Sequence, residues 1–498
     1  MSLRALLRGS ILYSIGNFLP RVGAFLMLPI YTAALAPGAF GQFSLLLSVA
    51  GVLGVIVRLG LDGALMRLHF DLDERDRRAL YATAVVATVV AAMAVLLVVG
   101  AASAPVFEEL FAGAAFWPLG PITLALTFLL AVNYVPLTFL RASQLPGRFV
   151  LLTALSFLLG LGATITFLLV LDLGATGAML GQLVAAAVVA VAMVGVFARL
   201  GLAAPRRELL RRSLTFGLPL VPHALSGWVL NVSDRWLIAL LTAGGSAAAA
   251  SAVGIYAFGY VIGQGVSLVA FSVNAAWVPF FYEQGETPAG PRILRAATTL
   301  SAIGLCVLAA AVGMLAPELV VLLGGDRWGA AARDAAKVTV VVAFASTLYG
   351  LYYMVVSAIF LVRRTALLPV LTILAGAVNV ALNVVLIPRI GIMGAAWATL
   401  GGYAVLAVLT SWYARRVYPL RLDGPRLLLV FAATGGLLLG STTLTEPVHG
   451  TMAGAGIHLG LAAVAALGGL ALATGPWQEL RSALARPGSR YHEGPKEN

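Results

Sequence analysis

The stretch "LGATGAM" (residues 173–179) opens a long apolar run, and a similar stretch, "IGIMGAA" (390–396), opens another run 217 residues later. The same offset relates Leu151 to Leu368, which lie early in the apolar runs that precede these two stretches. A fixed offset between similar segments is the pattern of an internal repeat. The chain is therefore predicted to contain two copies of one folding unit.

Two further pairs of segments follow the same order along the chain. "LLRGS" (6–10) corresponds to "LLRRS" (209–213) before an apolar run, and "FGQFS" (40–44) corresponds to "VGIYA" (253–257) at the start of the next run. One such pair could arise by chance in a sequence rich in Gly and Ala. Several matches in order, at equivalent positions, favour a repeat.

The composition predicts a membrane protein. Of the 498 residues, 61% are hydrophobic and 10% are charged, and the mean hydropathy is +0.98. A soluble protein has about 25% charged residues. Runs of about twenty apolar residues are long enough to cross a bilayer as a helix, so we predict an all-α polytopic membrane protein with about 14 transmembrane helices. The predicted spans are 10–35, 42–66, 80–103, 118–140, 149–171, 175–198, 214–241, 252–281, 293–316, 337–361, 366–388, 392–414, 427–445 and 451–474.

The basic residues predict how the chain is oriented. With the N-terminus placed inside, 25 of the 32 Lys and Arg residues fall in inner segments, four fall outside and three lie within spans. This asymmetry follows the positive-inside rule and predicts that both termini are cytoplasmic. The net charge of +12 is thereby explained by topology, and nucleic acid is not expected as a partner.

Six spans return the chain to the side from which it began, so both copies of the repeat are expected to insert in the same direction. They would be related by a pseudo-two-fold axis along the membrane normal, with a site between them near the midplane. The predicted segments are an N-lobe with spans 1–6 (1–200), a cytoplasmic basic linker (201–213), a C-lobe with spans 7–12 (214–416), spans 13 and 14 (417–474) and a cytoplasmic tail (475–498). The linker resembles a short helix that lies on the inner surface.

A charged residue interrupts the first span. Arg21 follows Pro20 about halfway through it, and a charge at that depth usually faces a cavity or a charged partner. The repeat aligns this pair with Pro222-His223, so the first helix of each lobe carries a proline followed by a basic side chain. Alternatively, Arg21 is a structural partner of Asp62.

Other polar residues recur at helical spacing on single faces of the predicted spans. The predicted substrate-binding cavity contains Arg21, Arg58, Asn17, His223, Asn231, Gln264 and Asn274. Asp62, Asp234 and Arg235 are predicted to act in coupling or gating, and Asn379, Asn383, Tyr349 and Tyr353 form further polar faces. Purely structural roles are the alternative for two of these pairs. Arg58 and Asp62 can neutralise each other at i, i+4. Asn379 and Asn383 can form hydrogen bonds to neighbouring helices.

Several segments carry a resemblance to a known family. These are "LAPGAFGQFSLL" (35–46), "NVSDRWLIALL" (231–241), "VGIYAFGYVIGQG" (253–265), "GGDRWGAAARDAAKV" (324–338) and "NVALNVVLIPRIGIMGAAWAT" (379–399). Together they resemble the polysaccharide (O-antigen type) flippases, which belong to the superfamily that includes the multidrug and toxic-compound extrusion transporters. The resemblance covers spans 1–12, and the Asp-Arg pair followed by Gly-Ile-Tyr is its most informative part.

The resemblance implies a secondary transporter that moves a polyprenyl-diphosphate-linked oligosaccharide from the inner to the outer leaflet by alternating access. It also implies a bacterial cytoplasmic membrane, contacts with membrane lipids and cooperation with polysaccharide polymerase or export machinery. Such a substrate suits the residues, because the guanidinium fork of Arg binds phosphate oxygens and amides or hydroxyls bind sugars.

Other classes of protein fit the sequence less well. Neither Lys337 nor Lys496 lies in a phosphate-binding Gly-rich loop, so ATP is not expected to drive the protein. No cofactor is expected, and the loops lack the H-E-x-x-H and G-x-S-x-G motifs of hydrolases, so an enzyme is not predicted. A multidrug or cation antiporter and a lipid II flippase remain alternatives on the same fold.

Overall fold

A computed structural model describes residues 16, 19, 22–201, 203–325, 327–444 and 452–485. All regular elements within these residues are helical. The first ten helices are α1 (Leu28–Ala34), α2 (Pro37–Arg58), α3 (Leu61–Leu68), α4 (Glu74–Ser103), α5 (Phe107–Leu110), α6 (Phe116–Ala142), α7 (Pro146–Ile165), α8 (Gly174–Leu200), α9 (Arg207–Gly217) and α10 (Val221–Leu241).

The second part of the chain continues the same pattern. Its helices are α11 (Ser246–Gly263), α12 (Gly265–Gly285), α13 (Gly290–Met314), α14 (Ala316–Gly324), α15 (Gly329–Leu361), α16 (Leu368–Ile390), α17 (Ile392–Val417), α18 (Gly424–Leu444) and α19 (Met452–Ala485). Three short segments extend or join helices. A 3₁₀ turn over Ala104–Val106 joins α4 and α5, α7 continues as a π-helical turn over Thr166–Val170, and Leu218–Leu220 forms a 3₁₀ turn between α9 and α10.

The number of apolar helices agrees with the number of spans predicted from the sequence. Among the described residues, twelve helices are long and apolar enough to cross a membrane, and two shorter apolar helices, Val22–Ala34 and Gly424–Gly440, bring the number to fourteen. Each of them overlaps one predicted span. The prediction of an all-α polytopic membrane protein is confirmed.

One predicted span is broken. Residues 42–66 were expected to form a continuous helix, but α2 ends at Arg58 because Leu59 and Gly60 both adopt left-handed backbone angles, with φ of 52° and 68°. Gly60 also lies against Gly217, and a Cβ atom at either position would collide with the backbone of the other. The chain then restarts as α3, which packs beside α9.

The contacts divide the chain into two compact units. The first contains residues 1–261, 320–338 and 372–399, and the second contains residues 262–319, 339–371 and 400–498. These units interleave along the sequence, since segments 320–338 and 372–399 of the first unit alternate with the segments of the second. The lobes 1–200 and 214–416 remain a prediction from the repeat.

The first unit is held together by close helix packing where the repeated motifs lie. Gly41 of "FGQFS" meets α11 so closely that a Cβ atom would overlap the carbonyl oxygen of Ala250, and a Cβ at Gly254 of "VGIYA" would overlap that of Pro37. Trp328 is buried between Phe40 and Phe258 and donates its indole N–H to the carbonyl of Thr32 at 3.1 Å. Small residues at these contacts let the helix backbones approach, as is common in membranes.

A buried histidine lies just after α3 in the first unit. The Nδ1 atom of His69 is 2.8 Å from the hydroxyl of Tyr81, and the imidazole is 6% exposed. Burial, and to a smaller extent the charge of Arg77, lowers the pKa of His69 below its ordinary value of 6.5. The neutral imidazole is therefore favoured in the folded protein.

The second unit has its own core and a long final helix. Trp277 donates to the carbonyl of Met354 at 2.9 Å and packs on Phe281. Helix α19 runs along α13 and is fixed by two polar contacts: Arg295 binds Glu479 at 2.5 Å, and the Nδ1 atom of His458 lies 2.6 Å from Glu318. Helix α19, which overlaps span 14, is thus packed within the second unit.

Candidate functional site

Helix α10 carries the most deeply buried charges of the predicted site. Asp234 is 2% exposed and Arg235 is 9% exposed, although both lie in the interior of an apolar helix. Burying two charges is unfavourable unless each finds partners. The surrounding helices of the first unit supply those partners.

The carboxylate of Asp234 accepts hydrogen bonds from two other helices. The hydroxyl of Tyr256, on α11, donates a hydrogen bond to Oδ2, and the hydroxyl of Thr399, on α17, donates to the same oxygen at 3.4 Å. The backbone N–H of Arg235 donates to Oδ1 at 3.1 Å. Three helices therefore converge on one carboxylate.

The guanidinium of Arg235 turns toward a different set of groups. Its Nε donates to the hydroxyl of Ser44 at 3.0 Å, and its carbon Cζ lies 4.8 Å from the ring centroid of Tyr260. Tyr260 also donates to the carbonyl of Asn231 at 3.0 Å. One guanidinium nitrogen is 3.8 Å from the Asp234 carboxylate. The two charges thus compensate each other within a buried network of neutral hydrogen-bonding groups and a π-face.

This network has the chemistry of a site that can bind a proton or a small cation. The Asp234 carboxylate offers acceptor oxygens that a proton or a small cation can occupy, and Tyr256 and Thr399 can reorient their hydroxyls when it does. No group of three His, Cys, Asp or Glu side chains suited to a metal lies within the described residues.

Arg58 stands in a different environment at the C-terminal end of α2. Its Nε donates to the carbonyl of Gly54 at 2.9 Å, and its guanidinium lies 6.0 Å from the ring centroid of Tyr134. The side chain is half-buried, and among the described residues no carboxylate lies within ion-pair distance of it.

The expected i, i+4 pair between Arg58 and Asp62 does not form. The left-handed Leu59 and Gly60 end α2, so Asp62 lies in the first turn of α3 and not one helical turn above Arg58. Asp62 is exposed. Neutralisation of Arg58 by Asp62 at i, i+4 was one of the roles that the sequence left open, and the break at Leu59 and Gly60 removes the helical spacing it requires.

His223 lies at the start of α10, just after the 3₁₀ turn. Its Nδ1 atom is 3.1 Å from the hydroxyl of Thr372 at the start of α16, and the residue is otherwise exposed. The amide of Asn231 donates to the carbonyl of Gly227 at 2.7 Å, one turn earlier in the same helix. The side chain of Asn231 is thereby turned along its own helix, and its carbonyl serves the Arg235 network.

Asn379 and Asn383 are fully buried on α16. The amide of Asn383 donates to the carbonyl of Asn379 at 2.9 Å and to its side-chain oxygen at 3.2 Å. Within the described part of the chain, the amide nitrogen of Asn379 and the side-chain oxygen of Asn383 have no hydrogen-bond partner. The pair bonds within one helix and does not bridge two helices.

The remaining polar residues of the prediction lie in the second unit. Tyr349 stacks on Tyr403 with centroids 4.7 Å apart and contacts Tyr353 at 4.8 Å. Tyr353 contacts Phe271 of α12, the helix that also carries Asn274. The side-chain oxygen of Asn274 is buried without a hydrogen-bond partner in the described residues. Gln264 is half-buried at the N-terminal end of the same helix.

Two predicted site residues cannot be placed. Arg21 and Asn17 lie outside the described residues. Their roles remain predictions from the sequence.

Sequence reasoning missed several residues that complete the Asp234 and Arg235 network, namely Ser44, Tyr256, Tyr260 and Thr399. Tyr256 and Tyr260 stand four residues apart, so both side chains lie on one face of α11. That spacing was a usable signal within "VGIYAFGY". Ser44 and Thr399 carry no comparable signal, because single hydroxyl residues are frequent in spans.

The comparison with protein families gives one match over more than half of the chain. The family described as "Polysaccharide biosynthesis protein" matches residues 6–284. A comparison with curated proteins found no match.

Solved structures similar to this chain include a flippase and a multidrug transporter. The structure of "Lipid II flippase MurJ, inward closed conformation" is similar over 95% of this chain and 100% of that chain, with a TM-score of 0.74 and 11% identity. The inward-facing conformation of a "multidrug resistance MATE family transporter of the MOP superfamily" covers 82% of this chain and 94% of that chain, with a TM-score of 0.58 and 19% identity. At these identities the likeness establishes the fold.

Proposed function

Because the chain belongs to the polysaccharide biosynthesis protein family and has the fold of MOP-superfamily flippases and transporters, we propose that it flips a lipid-linked oligosaccharide across a bacterial cytoplasmic membrane. The substrate would be a polyprenyl-diphosphate-linked glycan that moves from the inner to the outer leaflet by alternating access. The family match over residues 6–284 carries this proposal. It is a transport function without a covalent step at the protein.

The proposed path lies between two six-helix lobes, residues 1–200 and 214–416, with both termini in the cytoplasm. Support comes from the repeated segments and from the distribution of Lys and Arg along the sequence. A diphosphate and several sugars require a wet, cationic path, whereas the polyprenyl tail can stay in hydrocarbon. Polymerase or export machinery would take up the glycan on the outer side.

Arg58 and Arg21 are the proposed ligands of the diphosphate. The half-buried guanidinium of Arg58 has one backbone carbonyl and one aromatic ring as its neighbours, which leaves several N–H donors for an anion. Arg21 joins it on the sequence argument alone. Asn17, His223, Asn231, Gln264 and Asn274 are the proposed contacts to sugar hydroxyls.

Asp234 is the proposed coupling residue, with Arg235 as its partner and Asp62 as a gating charge. Support comes from the buried carboxylate on which α10, α11 and α17 converge, since a proton or cation bound there would change the contacts between those helices. The energy source would be an ion gradient or membrane potential, and not ATP.

The test is flipping of a polyprenyl-diphosphate oligosaccharide in proteoliposomes. We expect flipping with an imposed gradient in the absence of ATP, its loss in Arg21→Ala, and partial recovery in Arg21→Lys, because an ammonium replaces a bidentate fork. Arg21→Ala combined with Asp62→Ala should remain inactive while the protein stays folded. Recovery of flipping in that double variant would assign Arg21 a structural role, and a strict need for ATP hydrolysis would refute the secondary-transporter mechanism.

A further inference from the structure

A groove opens at one end of the first unit, between α3 and α9. Its volume is about 580 Å³, and its walls include Arg67, Arg211, Arg212, Asp71, Glu208 and Phe216. None of these residues belongs to the proposed transport site. The groove combines a cluster of cationic side chains with an apolar wall.

The two walls of the groove are firmly attached to each other. Leu209, Ser213 and Gly217 form the buried face of α9, and Gly217 meets Gly60 backbone to backbone just before α3 begins. The segment that leads into α9 is also fixed, because Arg206 pairs with Asp76 at 2.6 Å and its backbone N–H donates to Thr83 at 2.9 Å. The arginines of the groove therefore project from a preformed scaffold.

The arginines of the groove differ in their partners. Arg67 lies 3.6 Å from Asp71. Arg211 and Arg212 are exposed, and neither has a carboxylate within ion-pair distance among the described residues. Two guanidinium groups are thus available to an anion at the mouth of the groove.

The groove lies at the border between polar and apolar surface. Phe216 is 44% exposed beside Arg212, and the exposed Leu218 and Leu220 follow it immediately before α10 enters its apolar span. An amphipathic helix with arginines on one side and exposed apolar residues at its end is suited to the interface of a bilayer. A ligand suited to this groove would have an anionic headgroup attached to an apolar lipid tail.

We propose that the groove binds the phosphate headgroup of an anionic membrane phospholipid. Three arginines and two carboxylates give the walls a net charge of +1, which matches the single charge of a phosphodiester. The two carboxylates offset part of the arginine charge, so the groove is only weakly cationic overall. The arginines would hold the phosphate oxygens through charge-assisted hydrogen bonds, and Phe216 would lie against the glycerol and upper acyl chains.

This site goes beyond the proposed transport function and does not depend on it. Its ligand is a resident lipid that would fix the short helix α9 to the membrane surface, whatever the protein transports.

The test measures lipid binding to the purified full-length protein by native mass spectrometry, with phosphatidylglycerol as the anionic probe and phosphatidylethanolamine as the zwitterionic one. The double variant Arg211→Ser, Arg212→Ser should bind phosphatidylglycerol about thirtyfold more weakly, since each arginine near an anionic headgroup contributes about 1 kcal/mol. The matched control, Arg207→Ser with Arg148→Ser, removes the same charge outside the groove and should bind as the unmodified protein does.

A second variant tests the same groove by increasing its affinity for phosphate. Glu208→Gln deletes a carboxylate that repels phosphate, so binding of phosphatidylglycerol should rise several-fold. Unchanged binding in both groove variants, or an equal loss in the control, would overturn the proposal. Tighter binding of a polyprenyl diphosphate than of phosphatidylglycerol, lost in the double variant, would overturn it in favour of a docking site for the transported lipid.

Discussion

An arginine side chain lies at each end of helix α2, and the two side chains have different environments. Near its N-terminal end, Ser44 receives the guanidinium of Arg235, which is closed in by Tyr260, Asn231 and the neighbouring Asp234. At its C-terminal end, Arg58 is half-buried, with a carbonyl of its own helix and the ring of Tyr134 as neighbours. Arg235 is buried among protein partners, whereas Arg58 is half-buried and has fewer of them.

This difference separates a structural charge from a ligand-binding charge. A buried guanidinium surrounded by such partners stabilises the packing of helices, because a ligand can reach it only by displacing them. A half-buried guanidinium beside a helix break can bind an anion at little cost to the fold. Depth in the membrane alone does not distinguish the two, since both residues lie in apolar segments of the sequence.

The largest effect on stability is expected from Arg235→Ala. The variant leaves the buried Asp234 carboxylate without its compensating charge, and breaking a buried pair in this way costs about 3–5 kcal/mol. Thermal unfolding in detergent should show a strongly destabilised protein, with low abundance in the membrane. Arg333→Ala, which removes an exposed arginine, should stay within about 0.5 kcal/mol of the unmodified protein. Equal stability of the two variants would show that Arg235 is not a structural charge.

A smaller loss is expected from Gly41→Ala at the same end of α2. The new Cβ atom would overlap the carbonyl of Ala250, so α2 and α11 must separate, at a cost of about 1–3 kcal/mol. The control lies in the same helix: a Cβ at Gly51 would be 3.6 Å from the nearest side-chain atom, on Trp228. Gly51→Ala should therefore stabilise the helix by about 0.5–1 kcal/mol. Opposite shifts of the two unfolding midpoints are the predicted result.

Arg58→Ala should change stability by only about 1 kcal/mol or less, since it loses a distant contact with an aromatic ring and a hydrogen bond to a carbonyl of its own helix. The same variant should reduce flipping of the proposed substrate by about tenfold or more, the effect of losing one strong charge-assisted contact. Arg58→Lys should recover part of the rate. A destabilised but active Arg58→Ala protein would reverse the comparison between the two ends of the helix.

The smallest expected effect is on the pH dependence of stability. It involves His69, which follows α3 beyond the C-terminal end of α2. Because the pKa of His69 is lowered in the folded protein, its contribution to stability is fully present above the ordinary value of 6.5 and is lost as the pH falls through the lowered pKa. The unfolding midpoint should therefore fall on acidification from neutral pH. His69→Gln should reduce this dependence. An unchanged pH profile in His69→Gln would mean that other groups dominate the titration.

Much of the fold followed from the sequence because the bilayer imposes simple rules. Every apolar run of about twenty residues must be helical, since only helices satisfy their own backbone hydrogen bonds in hydrocarbon. This rule yielded the fourteen spans. It also predicted Asp234 and Arg235 as unusual residues, since charges in apolar runs need a reason.

The arrangement around those charges depended on contacts between distant segments. Tyr256 and Thr399 reach Asp234 from 22 and 165 positions away, and Ser44 reaches Arg235 from 191 positions away. Spacing rules describe neighbours within one helix and contain no information about which helices meet. For this reason the sequence identified the charges and missed their partners.

The sequence by itself determined the helical class, the number of spans and the distribution of charge, because local composition and chain length suffice for each of these. Only the tertiary structure decided the break at Leu59 and Gly60, where the close approach of Gly60 to Gly217 accommodates a turn that a continuous apolar run does not reveal. That turn separated Arg58 from Asp62 and left the guanidinium of Arg58 without a carboxylate partner in the described structure. Packing between helices, and not spacing along one, set the environment of each charge.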